Sequence, residues 1–147
     1  MEKFQMWIGG KWIGAASGKT YRALNPATEK EIAEIPLGDK TDVDKAVAAA
    51  RKAFPFWSRT PQSERSRAVE HLAALQREYA AELTRLEILD HGTPIKLARM
   101  QSLISSGNLE YTAQAARALM GSTIPSSPNN LFHIQREPIG VAALIIP

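Results

Sequence analysis

The chain has 147 residues, 44% hydrophobic and 22% charged, with 18 Lys+Arg against 15 Asp+Glu and no cysteine. A chain of this length can bury about 68–70% of its unfolded surface, so an unstapled core is feasible, and disordered, collagen-like and disulfide-framework classes are excluded. The absence of cysteine removes thiol nucleophiles, zinc–thiolate sites and iron–sulfur clusters from the chemistry this chain can supply.

Phe4, Met6 and Ile8 alternate with Gln5 and Trp7, and Gly9-Gly10 followed by Lys11-Trp12-Ile13 predicts a β-hairpin. Ser17-Gly18-Lys19 reads as a second turn and Thr20 to Leu24 as a strand. Pro26 forces Asn25 out of the helical region, so Asn25-Pro26-Ala27-Thr28 is a turn, with a further strand centred on Ile32-Ala33-Glu34-Ile35.

Three amphipathic helices are predicted next. Thr41-Asp42-Val43-Asp44 has the form of a capping box; behind it Val43, Ala46, Val47, Ala50 and Phe54 share a face until Pro55 stops the helix. Thr60-Pro61 places a hydroxyl at an N-cap and proline at the first helical position. The stripe Val69, Leu72, Leu75, Tyr79, Leu83, Leu86 predicts one helix from Pro61 to Asp90, about 45 Å long. Gly92 suits its left-handed closing residue. Thr93-Pro94 repeats the start signal as an exposed helix start, Leu97, Met100, Ile104, Tyr111, Ala115 and Leu119 keep helical spacing, and Gly121 is the expected cap. Pro125 and Pro128 mark a loop, and Leu131 to Arg136 reads as an exposed strand. Val141-Ala142-Ala143-Leu144-Ile145-Ile146 reads as a strand buried on both faces of a parallel sheet. That an uncharged run reaches Pro147 leads to the expectation that the polypeptide continues.

Little here carries chemistry by itself. His71, His91 and His133 have no ligand spacing; Ser102, Ser105 and Ser106 lack a strand–turn–helix setting; Gly9-Gly10 and Gly14 precede no helix. Asp90 is the odd residue, a carboxylate opposing the dipole at a helix C-terminus, which asks for a cation nearby. The net charge of +3 and interspersed acids and bases oppose a nucleic-acid partner, and no apolar run reaches the roughly 18 residues of a membrane span. With no secretory signal in view, a cytoplasmic protein is the expectation.

Four segments carry a resemblance. Asn25-Pro26-Ala27-Thr28, Asp42-Val43-Asp44-Lys45-Ala46-Val47-Ala48-Ala49-Ala50-Arg51, Leu86-Glu87-Ile88-Leu89-Asp90-His91-Gly92-Thr93-Pro94 and Arg136-Glu137-Pro138-Ile139-Gly140-Val141 occur in the order and spacing of the start of aldehyde dehydrogenases, so the chain resembles the N-terminal portion of that family. One departure is Thr93, where the family has lysine. The resemblance implies an α/β fold: a β-hairpin and short strands, three amphipathic helices, then the first strand of a Rossmann-type parallel sheet. Residues 1–130 would be the N-terminal part of the cofactor-binding domain, 131–137 a strand resembling the oligomerisation element and 138–147 the truncated first strand.

The implied reaction oxidises an aldehyde with NAD or NADP. A cysteine thiolate attacks, an asparagine amide and a backbone N–H hold the oxyanion, and a glutamate-activated water hydrolyses the thioester. None of these groups matches a residue here, so no catalytic residue lies within the chain and the chain alone is expected to be inactive. The resemblance places Ile145, Ile146 and Pro147 at the cofactor cleft, Asp90 with the carbonyl of Leu24, joined by that of Ala23, at a monovalent-cation site, and Ile104 near an aldehyde access tunnel. It also implies a homodimer or homotetramer at full length. The alternative is a free-standing binding or assembly module retaining the family's first segment.

Overall fold

The computed structural model describes residues 2–125 and 127–146. Strand β1 (Glu2–Lys3) is followed by the hairpin β2 (Met6–Ile8) and β3 (Lys11–Ile13), then β4 (Thr20–Leu24) and β5 (Glu31–Pro36). Four helices come next, α1 (Lys40–Trp57), α2 (Gln62–Glu78), α3 (Ala80–His91) and α4 (Ile95–Arg117), before a second hairpin, β6 (Ser122–Ile124) and β7 (Phe132–Ile134). The predicted hairpin forms in register Trp7↔Trp12, with the two indoles edge-to-face at 4.8 Å. β4 and β5 pair antiparallel as neighbouring strands, and β1 adds to the far edge of β5 in parallel.

Several boundaries differ from the sequence reading. The N-cap of α1 is Asp39 rather than Thr41: its Oδ1 accepts from the Thr41 N–H at 2.8 Å, and Asp42 Oδ2 accepts from the Asp39 N–H at 3.3 Å. The box thus forms two residues earlier than predicted, because carboxylates occupy both of its acceptor positions. Pro55 does not stop α1, which runs to Trp57, since a proline in the last turn removes only one helical bond. The Thr60 hydroxyl donates to the Phe56 carbonyl at 3.1 Å and so belongs to the end of α1; Pro61 takes the N-cap of α2.

The expected long helix is two, α2 and α3, broken at Tyr79 (φ −93°, ψ 13°). Hydrogen bonds from Tyr79 N–H to the Leu75 carbonyl and from Leu83 N–H to the Tyr79 carbonyl span the break. The apolar stripe therefore stays in phase through it, and four helices stand where three were expected. α4 ends at Arg117 with Ala118 as C-cap, so Gly121 is not the cap. Gly121 instead starts the second hairpin, where an added Cβ would sit 2.4 Å from the Ile134 carbonyl oxygen. β7, read from the sequence as an exposed strand over Leu131 to Arg136, is shorter and runs antiparallel to β6 with Thr123 opposite His133.

The largest departure concerns what is buried. The apolar core among the described residues is five alanines, Ala23, Ala33, Ala73, Ala98 and Ala113. Helices α2 and α4 meet through Ala73, Ala98, Ala113, Ser66 and Ser106, and the Ser66 hydroxyl donates to the Ala113 carbonyl at 2.8 Å. Small side chains let the two backbones approach closely. The stripe of Leu97, Met100, Ile104 and Tyr111, read from the sequence as a single helical face, stays exposed. Leu144, Ile145 and Ile146 are exposed too and form no strand, because no strand among the described residues lies alongside to supply hydrogen bonds.

Candidate functional site

The end of α3 and the turn after β4 converge. Gly92 closes α3 at φ 74°, and its N–H donates to the Ile88 carbonyl. The backbone at Gly92 lies so close to the Asn25–Lys30 turn that an added Cβ would be 2.9 Å from Pro26 Cγ. That turn is fixed by Asn25, whose Oδ1 accepts from the Ala27 N–H at 2.8 Å and the Thr28 N–H at 3.2 Å.

Asp90 and Ala23 consequently line one cavity of about 270 Å³, with Ile32, Leu86 and Leu89 among its apolar walls. Arg85 also lines it, but its guanidinium is engaged by Glu82 at 2.7 Å and Glu2 at 3.7 Å. The Glu82 hydrogen bond and charge raise Arg85 above its ordinary pKa, and Arg85 in turn lowers that of Glu82. Asp90 lines the cavity from the last turn of α3, where the final backbone carbonyls have no helical donors. Leu24, one residue past Ala23, is exposed and is not part of the cavity wall. Among the described residues no three His, Cys, Asp or Glu side chains gather as metal ligands. One carboxylate beside carbonyl oxygens suits a singly charged hard cation; a divalent ion asks for more anionic ligands.

Ile104 lies elsewhere, at a groove of about 500 Å³ between α3 and α4. The groove mixes polar side chains with Leu83, Ala98 and Ile104. Gln76 Nε2 donates to Ser105 Oγ across it at 2.8 Å, while Gln76 Oε1 is buried with no partner among the described residues. Glu87, also in its wall, accepts from the Thr93 hydroxyl at 2.9 Å, and His91 Nδ1 lies 3.0 Å from the same hydroxyl. Thr93, taken from the sequence as an exposed helix start, is 6% exposed and ties the α3–α4 connection back onto Glu87 and His91 of α3. The sequence reading missed Gln76; the available signal was a polar residue beside the apolar stripe of α2.

Ile145 and Ile146 are 95% and 80% exposed and make no site of their own, and Pro147 lies outside the described residues. Neither a cation nor a glycine-rich strand-to-helix turn accompanies them, so the dinucleotide phosphates have no seat among the described residues. No helix of the described residues is long and apolar enough to cross a membrane.

A sequence profile of the aldehyde dehydrogenase family matches residues 12–147. The hydroxyisobutyraldehyde dehydrogenase of Mycolicibacterium austroafricanum is 41% identical over 97% of this chain. The cytosolic aldehyde dehydrogenase 1 of Mus musculus is 40% identical over the same share. The NAD+ complex of aldehyde dehydrogenase from Bacillus cereus superposes with a TM-score of 0.86 at 36% identity, covering 90% of this chain and 28% of that one. The chain spans 28% and 29% of the length of these two curated relatives.

Proposed function

Because the chain belongs to the aldehyde dehydrogenase family, we propose that it forms the N-terminal segment of an NAD(P)+-dependent enzyme that oxidises an aldehyde to a carboxylic acid. The observation that carries this is a match running from residue 12 to residue 147 while filling under a third of each relative. With no cysteine, the chain cannot supply the thiolate such a reaction needs, and alone it does not turn over.

Its own residues bind, position and assemble. Residues 1–130 form the first part of the cofactor-binding domain, and 138–147 its first parallel strand, placing Ile145, Ile146 and Pro147 along the dinucleotide, which accepts hydride when bound. Residues 131–137 pair in an oligomerisation sheet of a homodimer or homotetramer; in support, among the described residues β7 has a partner only on its β6 side. Ile104 borders the path of the aldehyde. Asp90, with the carbonyls of Leu24 and Ala23, holds a monovalent cation that fastens α3 to the end of β4; the cavity shared by Asp90 and Ala23 supports this. The cytoplasm is the proposed compartment.

The decisive experiment expresses the complete reading frame and the 147-residue chain side by side with an aldehyde panel, NAD+ and NADP+. The complete protein should reduce the nicotinamide and the chain alone should not. No turnover by the complete protein, or turnover by the chain alone, overturns the reading. In the complete protein, exchanging potassium for choline should lower the melting temperature, and Asp90→Asn should remove that dependence; an Asp90→Asn protein as cation-sensitive as its parent sinks the cation assignment.

A further inference from the structure

Asp42 is the one buried carboxylate among the described residues, 2% exposed, and the family chemistry gives it no task. Its partners come from two separate parts of the fold. The Ala16 N–H, 26 residues away in the loop between β3 and β4, donates to Oδ1 and Oδ2, both at 3.1 Å. The Asp39 N–H, at the start of α1, donates to Oδ2 at 3.3 Å. Lys45 Nζ stands 3.6 Å from Oδ1. The same side chain therefore completes the capping box of α1 and holds the loop that leads into β4.

We propose that Asp42 is a conformational latch: one carboxylate couples the first turn of α1 to the docking of the loop at residues 14–19, so neither loosens without the other. Both bonds are part-buried and share one acceptor, so losing it frees both donors at once. The charged groups around the latch are few. Lys45 approaches it and Asp39 caps the same turn, whereas Lys40 and Asp44 pair with each other at 2.6 Å on the exposed side of α1. The elements packed against it, β2 and the loop, bring Lys19 as their one ionisable side chain. The Ala16 N–H first, then the Asp39 N–H and Lys45, hold the Asp42 carboxyl below the ordinary aspartate range against the opposing effect of burial. The latch is consequently closed at neutral pH and opens only as pH falls through that lowered value.

Amide hydrogen exchange on the 147-residue chain, read separately at residues 14–19 and 39–43, tests the coupling. Asp42→Asn keeps the shape and removes the charge; exchange should quicken by about tenfold or more in both segments. Asp44→Asn should leave both unchanged. Asp39→Ala leaves the Ala16 contact in place chemically, so independent elements predict faster exchange at 39–43 alone, whereas a latch predicts faster exchange at Ala16 too. If either variant unfolds outright, acid titration of the parent decides: the two segments must loosen with one shared midpoint below the ordinary aspartate range. Separate midpoints, or one segment loosening alone in any arm, overturn the proposal.

Discussion

Gly92→Ala is the most informative single change, because Gly92 joins the two halves of the Asp90 cavity. Its φ of 74° lies in the left-handed region, which costs an alanine about 1–2 kcal/mol. The added Cβ would also stand 2.9 Å from Pro26 Cγ, closer than any relaxed contact, and overpacking of this kind costs about 1–3 kcal/mol. Ring pucker at Pro26 can relieve part of that, so the sum is roughly 2–4 kcal/mol. At about 2–4 °C per kcal/mol, thermal unfolding followed by circular dichroism should fall by roughly 5–15 °C. Gly92→Asn tolerates the left-handed backbone and should recover the conformational part only. Pro26→Ala removes Cγ and should recover the steric part, giving a non-zero coupling in a double-mutant cycle with Gly92→Ala. A Gly92→Ala chain that melts with its parent, or a cycle with no coupling, would refute the claim that this contact fixes the cavity.

Ser66→Ala removes the buried hydrogen bond to the Ala113 carbonyl and should cost about 1 kcal/mol, with Ser63→Ala as a neutral control on the exposed side of α2; equal melting of the two proteins argues against that bond holding α2 on α4. Glu34 is held below the usual glutamate range, first by the Thr20 hydroxyl at 2.9 Å and then by Lys3 at 3.2 Å. A depressed folded value means that its contribution is complete above the unfolded pKa and is lost as pH falls through the folded one. Carboxyl-carbon NMR titration should show a midpoint that Thr20→Val moves up, and an unmoved midpoint contradicts the assignment.

Local backbone signals were readable without coordinates. Gly9-Gly10, the Asn25-Pro26 turn and Gly92 each dictate a backbone conformation through their own chemistry, and each stands where expected. Helix starts were misplaced by a residue or two wherever several cap-forming side chains compete, as Asp39 does with Thr41. The break at Tyr79 was illegible because it leaves the apolar stripe in phase. Periodicity located a face on α4 but could not say what that face meets. The contact with α2 uses Ala98, Ser106 and Ala113, and the larger side chains point away. Of the candidate site, Asp90 was legible from its conflict with the helix dipole. Its neighbourhood with Ala23 depended on the long-range approach of Gly92 to Pro26.

A core made of five alanines has a calorimetric signature. Heat-capacity change on unfolding follows newly wetted apolar area, and a chain of this length would ordinarily show about 1.8–2.2 kcal/mol/K. Here the leucines and isoleucines of α4 and of residues 144–146 are already wet when folded, so the increment should be markedly smaller and the stability curve correspondingly flat across temperature. Any polypeptide layer that settled on those side chains would restore the curvature, and scanning calorimetry would register its docking as a rise in heat-capacity increment even where no new secondary structure formed.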